Sequence, residues 1–118
     1  MRKFLFLAFT SLAVTASATD YPVSNVAAFT EAAGQAKAGD RIILTDGIWE
    51  NARLRIRAAG TASSPITIKA QTPGKVILTG DSRISLAGEH LVVDGLWFQN
   101  PTGTEAIELR VDYDELAN

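Results

Sequence analysis

Apolar and polar residues alternate in short runs through the middle of this chain, and the runs recur. Ile42 and Leu44, Leu54 and Ile56, Ile66 and Ile68, Leu91 and Val93, Leu96 and Phe98, and Ile107 and Leu109 each flank a single residue. A period of two puts such a pair on one face of a strand and the residue between them on the other. Arg53, Arg55 and Arg57, Thr67 and Lys69, and Glu108 and Arg110 are therefore expected to point away from a core. The runs at 42–45, 66–70 and 91–94 begin about 25 residues apart, and those at 54–57, 76–79 and 96–99 form an interleaved series about 21 to 22 apart. A third series is shorter, with 84–86 answered by 107–110. Strands repeated at such an interval, with almost no helix between them, predict a solenoid: an all-β, right-handed parallel β-helix. A small β-sandwich would give no reason for the repeat.

The bends are expected at Asp46-Gly47, Pro73-Gly74, Gly80-Asp81, Gly88-Glu89 and Pro101-Thr102-Gly103. These residue types supply a positive or preset φ where a chain turns. Each coil then holds two or three short strands. Ahead of the first coil, residues 24–37 predict an amphipathic helix, with Ser24 as cap, Val26, Phe29, Ala33 and Ala36 near one face, and Gly39 at its end. Its expected task is to cover the first coil, because an open solenoid end exposes apolar core and unpaired backbone. Beyond 107–110 the chain reads VDYDELAN, a short acidic stretch without an equivalent cap. About 80 residues of coil at 21 to 25 per turn give three to four turns, roughly 14 to 19 Å of stack. The expectation is an incomplete solenoid, truncated on its C-terminal side.

Composition narrows the setting. Residues 1–18 read as an export signal: Arg2 and Lys3 begin it, 4–14 is a short apolar run, and Ala16-Ser17-Ala18 is a small-residue cleavage site, with the cut expected after Ala18. The apolar run, about 11 residues, falls short of the roughly 20 that span a bilayer. The mature chain, residues 19–118, is one small domain, secreted or periplasmic, with no membrane partner after cleavage. It has no cysteine, so neither disulfides nor a thiolate metal site holds it together. A net charge of −2 argues against nucleic acid as partner and leaves room for local basic patches that meet an anionic polysaccharide.

The stretch 38–100, AGDRIILTDGIWENARLRI through GTASSPITIKAQTPGKVILTGDSRISLAGEHLVVDGLWFQN, resembles the first coils of the polysaccharide lyase family that includes alginate (poly-mannuronate) lyases and chondroitinase B. The specific pieces are AGD at 38–40, Asp46-Gly47, SPITIKAQTPGKVILTG and LVVDGLWFQN, in that order. The resemblance implies a secreted or periplasmic enzyme that cleaves an acidic polysaccharide, alginate or a glycosaminoglycan, by β-elimination. It also implies the parts such a reaction needs. Removing the C5 proton of a uronic acid places a second negative charge beside a carboxylate, so in the family a calcium ion neutralises that carboxylate, a Lys takes the proton and an Arg assists the leaving O4. Those residues belong to later coils. None is assigned to this chain, no calcium is expected to bind this fragment, and it is expected to be inactive alone. The alternative is a non-catalytic β-helical module that binds a polysaccharide or a protein.

Several residues invite a sharper role. Arg53, Arg55 and Arg57 put three guanidinium groups on one strand face and could hold uronate carboxylates through paired hydrogen bonds. The runs 76–79 and 96–99 add no basic residue to that patch, which favours a solvated face. Asp112, Asp114 and Glu115 offer oxygen ligands to calcium without the spacing of a known binding loop. His90, the one histidine, sits in a turn with no carboxylate or nucleophile arranged around it. Trp49 and Trp97 could stack on sugar rings, with packing between coils as the favoured reading; if Leu96 and Phe98 face inward, Trp97 faces out. Asn51 and Asn100 lie at bends, where amide side chains bond neighbouring backbone. Lys69, Lys75 and Arg110 have side chains suited to elimination chemistry, but lie in segments that match structural coils.

Overall fold

The computed structural model describes residues 18–102 and 106–110. The expected export signal (all but Ala18), the acidic stretch at 111–118 and with it Asp112, Asp114 and Glu115 lie outside the described residues. The chain forms β1 (Asp20–Val23), α1 (Val26–Gln35), β2 (Arg41–Leu44), β3 (Gly47–Glu50), β4 (Arg53–Ala59), β5 (Ile66–Ala70), β6 (Val76–Gly80), β7 (Arg83–Glu89), β8 (Leu91–Asp94), β9 (Leu96–Pro101) and β10 (Ile107–Arg110). Every strand pairing is parallel. Three sheets result, ordered β1-β2-β5-β8, β3-β6-β9 and β4-β7-β10. Each coil contributes one strand to each sheet, which is a right-handed parallel β-helix with an N-terminal capping helix.

Inward side chains lie over one another along the stack. Ile42, Ile68 and Val93 share one register row, Leu54, Ile84 and Ile107 a second, and Trp49, Leu78 and Phe98 a third. Ile42, Leu44, Leu54, Ile66, Ile68, Val76 and Ile84 are fully buried. Each such side chain contributes roughly 1.5 to 3 kcal/mol by leaving water. In β10 the register holds but burial does not follow: Leu109 continues the row of Ile56 and Leu86 and is 74% exposed. A residue in a stack is covered from both sides, and among the described residues β10 is paired only with β7.

The helix is shorter and shifted from the expected 24–37. Asn25, not Ser24, caps it: its backbone is extended and its Oδ1 accepts from Ala28 N at 2.8 Å. The helix stops at Gln35, and Gly39 belongs to the following turn. Phe29, Ala32 and Ala33 form its buried face against β4, β1 and β2, so it covers the first coil as expected. Asp40, nearly buried, fixes the approach to that coil by accepting from Thr19 N at 2.9 Å and Lys37 N at 2.8 Å. This gives the AGD motif a physical role.

The grouping of strands into series needs correction. The run 54–57 does not stack on 76–79 and 96–99; it lies in β4, which pairs with β7 and through it β10. The strand that stacks beneath β6 and β9 is β3, which the alternation had passed over. Its residues carry no alternation: Ile48 faces solvent, Gly47 has no side chain, and Trp49 alone is a buried apolar residue. Gly88 lies inside β7 and is not a bend; the turn follows at His90, whose φ is 53°. Gly95 forms a bend between β8 and β9 that was not anticipated.

Candidate functional site

The outward face of the β4-β7-β10 sheet gathers the residues with the clearest chemical character. Alternation along β4 sends Leu54 and Ile56 inward and Arg53, Arg55 and Arg57 outward. Register then decides what each arginine faces. Arg53 lies opposite Arg83, Arg55 opposite Ser85, which in turn lies opposite Glu108, and Arg57 opposite Ala87. Arg83 was not anticipated as an extension of the patch, because it becomes visible only once β4 is paired with β7. The small side chain of Ser85 leaves a depression between the longer ones, a cavity of about 250 Å³ lined by Arg53, Leu54, Arg55, Arg83, Ser85 and Glu108.

Charge and hydrogen bonding within it are partly organised. Arg53 is paired with Asp81 at the rim. That contact, the hydrogen bond first and the guanidinium charges of Arg53 and Arg83 in support, holds the Asp81 carboxyl below the usual aspartate range. The Ser85 hydroxyl, buried at the floor, donates to Glu108 Oε1 at 2.9 Å. Glu108 Oε1 also stands 4.0 Å from Arg83 Nη1. Three guanidinium groups and the Glu108 carboxylate thus line the cavity, with the Arg53–Asp81 pair at its rim. Arginine stays protonated at any working pH, so the arrangement suits binding an anion and not abstracting a proton.

The other residues singled out from sequence are dispersed. His90 is exposed in its turn, and its carbonyl accepts from Ile66 N at 3.0 Å. Lys69 stands on the β2-β5-β8 sheet in register with Asp94, and Lys75 is exposed ahead of β6. Trp49 is 7% exposed and donates from Nε1 to Thr45 O at 3.1 Å, so it packs between coils and cannot stack on a ligand. Trp97 is 49% exposed and faces out as expected, in register with Ile77 and Ile48. Asn51 is structural: its Oδ1 accepts from Asp81 N at 2.8 Å. Asn100 belongs to β9. Among the described residues no group of three or more His, Cys, Asp or Glu side chains could hold a metal ion. Among them also, no helix is long and apolar enough to cross a membrane.

A stack of parallel sheets, capped at one end and carrying a basic outer face, defines a right-handed parallel β-helix. The family model for chondroitinase B matches residues 23–118, and the chain belongs to that family. Among solved structures it is similar to a PL6 family alginate lyase, AlyGC, at 43% identity and a TM-score of 0.74, over 80% of this chain and 13% of that one. It is also similar to a PL6 family polysaccharide lyase from Pseudopedobacter saltans, at 34% identity and a TM-score of 0.71, over 78% of this chain and 22% of that one. A mannuronic acid specific polysaccharide family 6 lyase from human gut microbiota is similar at 28% identity and a TM-score of 0.67, over 75% of this chain and 22% of that one. The chain therefore spans less than a quarter of the length of these solved relatives. No curated protein sequence matches it.

Proposed function

We propose that these coils are scaffold of a secreted polysaccharide lyase that acts on alginate or a related uronic-acid polysaccharide by β-elimination, and that they do not catalyse by themselves. The observation that carries the reading is the family match over residues 23–118, supported by 43% identity to an alginate lyase. The second half of the proposal rests on the chemistry of the described residues. Elimination needs a proton acceptor beside the sugar. In the basic depression on the β4-β7-β10 face the cationic groups are arginines, which stay protonated, and Glu108 is engaged by the Ser85 hydroxyl. Lys69, Lys75 and His90 lie away from that cavity's lining. Calcium, where the complete lyase uses it, would be held by residues other than the described ones.

The test is to incubate the purified protein with alginate and with dermatan sulfate and follow the ultraviolet absorbance of the unsaturated ends that elimination creates. No product is expected from the chain alone. Robust product formation would show that the reacting groups are among its residues. A second reading, a binding module without turnover, is favoured by the arginine face; it predicts retention on immobilised alginate even where no lyase assembly is formed. Export is tested separately, by sequencing the N-terminus of the secreted protein, which should begin at Thr19.

A further inference from the structure

We infer that the cavity on the β4-β7-β10 face is a binding site for a carboxylate of an acidic polysaccharide, held by Arg53, Arg55 and Arg83. This rests on the polysaccharide reading above for the identity of the ligand, but the site itself rests on geometry. Like charges directly opposite one another across a sheet are destabilising, yet Arg53 and Arg83 occupy one register pair. Arg55 adds a third guanidinium to the same cavity, whose lining among the described residues also holds the Glu108 carboxylate. Asp81 is at its rim, and Glu89 lies further along β7 opposite Ala59. A chain with a net charge of −2 has concentrated positive charge at one depression whose floor is the small Ser85. An anionic group entering there gains charge-assisted hydrogen bonds and relieves the repulsion between the two facing arginines. Adjacent strands are about 4.8 Å apart and alternate residues on one strand about 6.6 Å, so guanidinium groups from neighbouring positions can converge on one planar carboxylate. A polyuronate presents such a group on every sugar.

Binding of polymannuronate oligosaccharides to the purified protein, followed by calorimetry at low salt, tests this. Arg55→Gln and Arg83→Gln should each weaken binding roughly tenfold, the loss of one charge-assisted contact. Glu108→Gln, which removes the competing carboxylate, should strengthen it, and Arg41→Gln, on another sheet, should leave it unchanged. The opposite sign expected for Glu108→Gln keeps the test decisive if an arginine variant misfolds. Wild-type affinity in both arginine variants would overturn the site while leaving the polysaccharide reading intact. Equal binding of carboxyl-reduced polymannuronate, or tighter binding of single-stranded DNA, would overturn the carboxylate and the polysaccharide occupant respectively. No binding by the wild-type protein would also sink the site, whereas the lyase reading stands or falls on the absorbance assay.

A different observation carries a second inference. The Thr19 amide nitrogen is 2.9 Å from Oδ1 of the nearly buried Asp40, and β1 begins one residue later. We propose that Asp40 is a receptor for the N-terminus made by cleavage after Ala18, converting an amide hydrogen bond into an ion pair with the new ammonium group. Protein beginning at Thr19 should melt roughly 5 °C above the same protein acetylated at its N-terminus. Asp40→Asn should abolish that difference. Equal melting of the free and acetylated forms would overturn the pairing, whether or not export cleaves at that position.

Discussion

Two outward faces of the same three coils differ in what their register rows present. On β4-β7-β10 the rows read Arg53 with Arg83, Arg55 with Ser85 and Glu108, and Arg57 with Ala87. On β3-β6-β9 they read Ile48 with Ile77 and Trp97, then Glu50 with Thr79 and Gln99. The inward rows of both sheets are aliphatic and aromatic and serve the same stack. Inward positions are dictated by the need of each coil to cover the next, which leaves little freedom beyond volume. Outward positions are released from that need, so a row of arginines there requires a different reason from a row of leucines inside.

The contrast is sharpest between neighbouring residues of β3. Trp49 is buried between coils and Ile48, beside it, is 72% exposed. Trp49→Ala should cost about 3 to 5 kcal/mol in urea denaturation, the transfer of a large aromatic side chain plus the cavity left behind. Ile48→Ala should change stability by no more than about 0.5 kcal/mol. Similar losses for the two would mean that β3 is turned over and that the outward rows of its sheet are misassigned.

Next in size is a backbone effect on the arginine face. Gly88 has a φ of 126° and is in register with Ala58; a Cβ there would overlap the Ala58 carbonyl oxygen. Because the clash is with backbone, no side-chain rotation relieves it, and the conformation is itself unfavourable for an L residue. Gly88→Ala should destabilise by on the order of 3 kcal/mol. Hydrogen exchange should quicken first at the β4-β7 amides while those of β3-β6 keep their protection. Uniform loss of protection would show that the two sheets do not respond separately.

Ser82 joins the two faces. Its buried hydroxyl donates to Thr79 O at 2.6 Å, contacts Trp49 O at 3.2 Å and accepts from Ala52 N at 2.8 Å. Ser82→Ala strands a buried backbone N–H and should cost about 2 kcal/mol. Ser82→Thr, which keeps the oxygen, should recover part of that loss in the same denaturation experiment.

How much of this was legible from sequence follows from particular residues. Alternation at Ile42 and Leu44, Ile66 and Ile68, or Leu91 and Val93 is undisturbed, and these segments form one sheet as expected. The register of the arginine strand was not legible, because connections between strands vary in length. Asp46 and Gln71 are bonded across adjacent coils 25 residues apart, Ala52 and Ser82 30 apart, and Ser85 and Glu108 23 apart. A single period therefore paired 54–57 with the wrong neighbours and hid Arg83. The missing signal was in the corners: Asn51 before β4 and Gly80-Asp81-Ser82 before β7 are bonded partners, and matching them would have aligned the two strands. The capping helix was legible through Phe29 and Ala33, whereas its start depended on whether Ser24 or Asn25 reaches an amide three residues on.

The smallest expected effect concerns the ion pairs that edge the arginine face and the β1-β2 edge. Asp81 is held below the usual aspartate range chiefly by its hydrogen bond from Arg53, and Asp20 likewise by Arg41. A carboxyl depressed in the folded state stabilises the fold fully above its unfolded value, about 3.9, and that stabilisation is lost as pH falls through the folded value. The thermal midpoint should therefore be insensitive to these two groups between pH 7 and pH 5 and should decline below about pH 4. Both pairs are exposed to solvent, so the decline should be shallow and weaker still at high salt. In a carboxyl NMR titration Arg53→Gln should return Asp81 upward to the ordinary range and leave Asp20 where it is. If Asp81 stayed low in that variant, the depression would have to come from Arg83 across the register pair, and the cavity's positive charge would extend to its rim more strongly than the Arg53 contact alone implies.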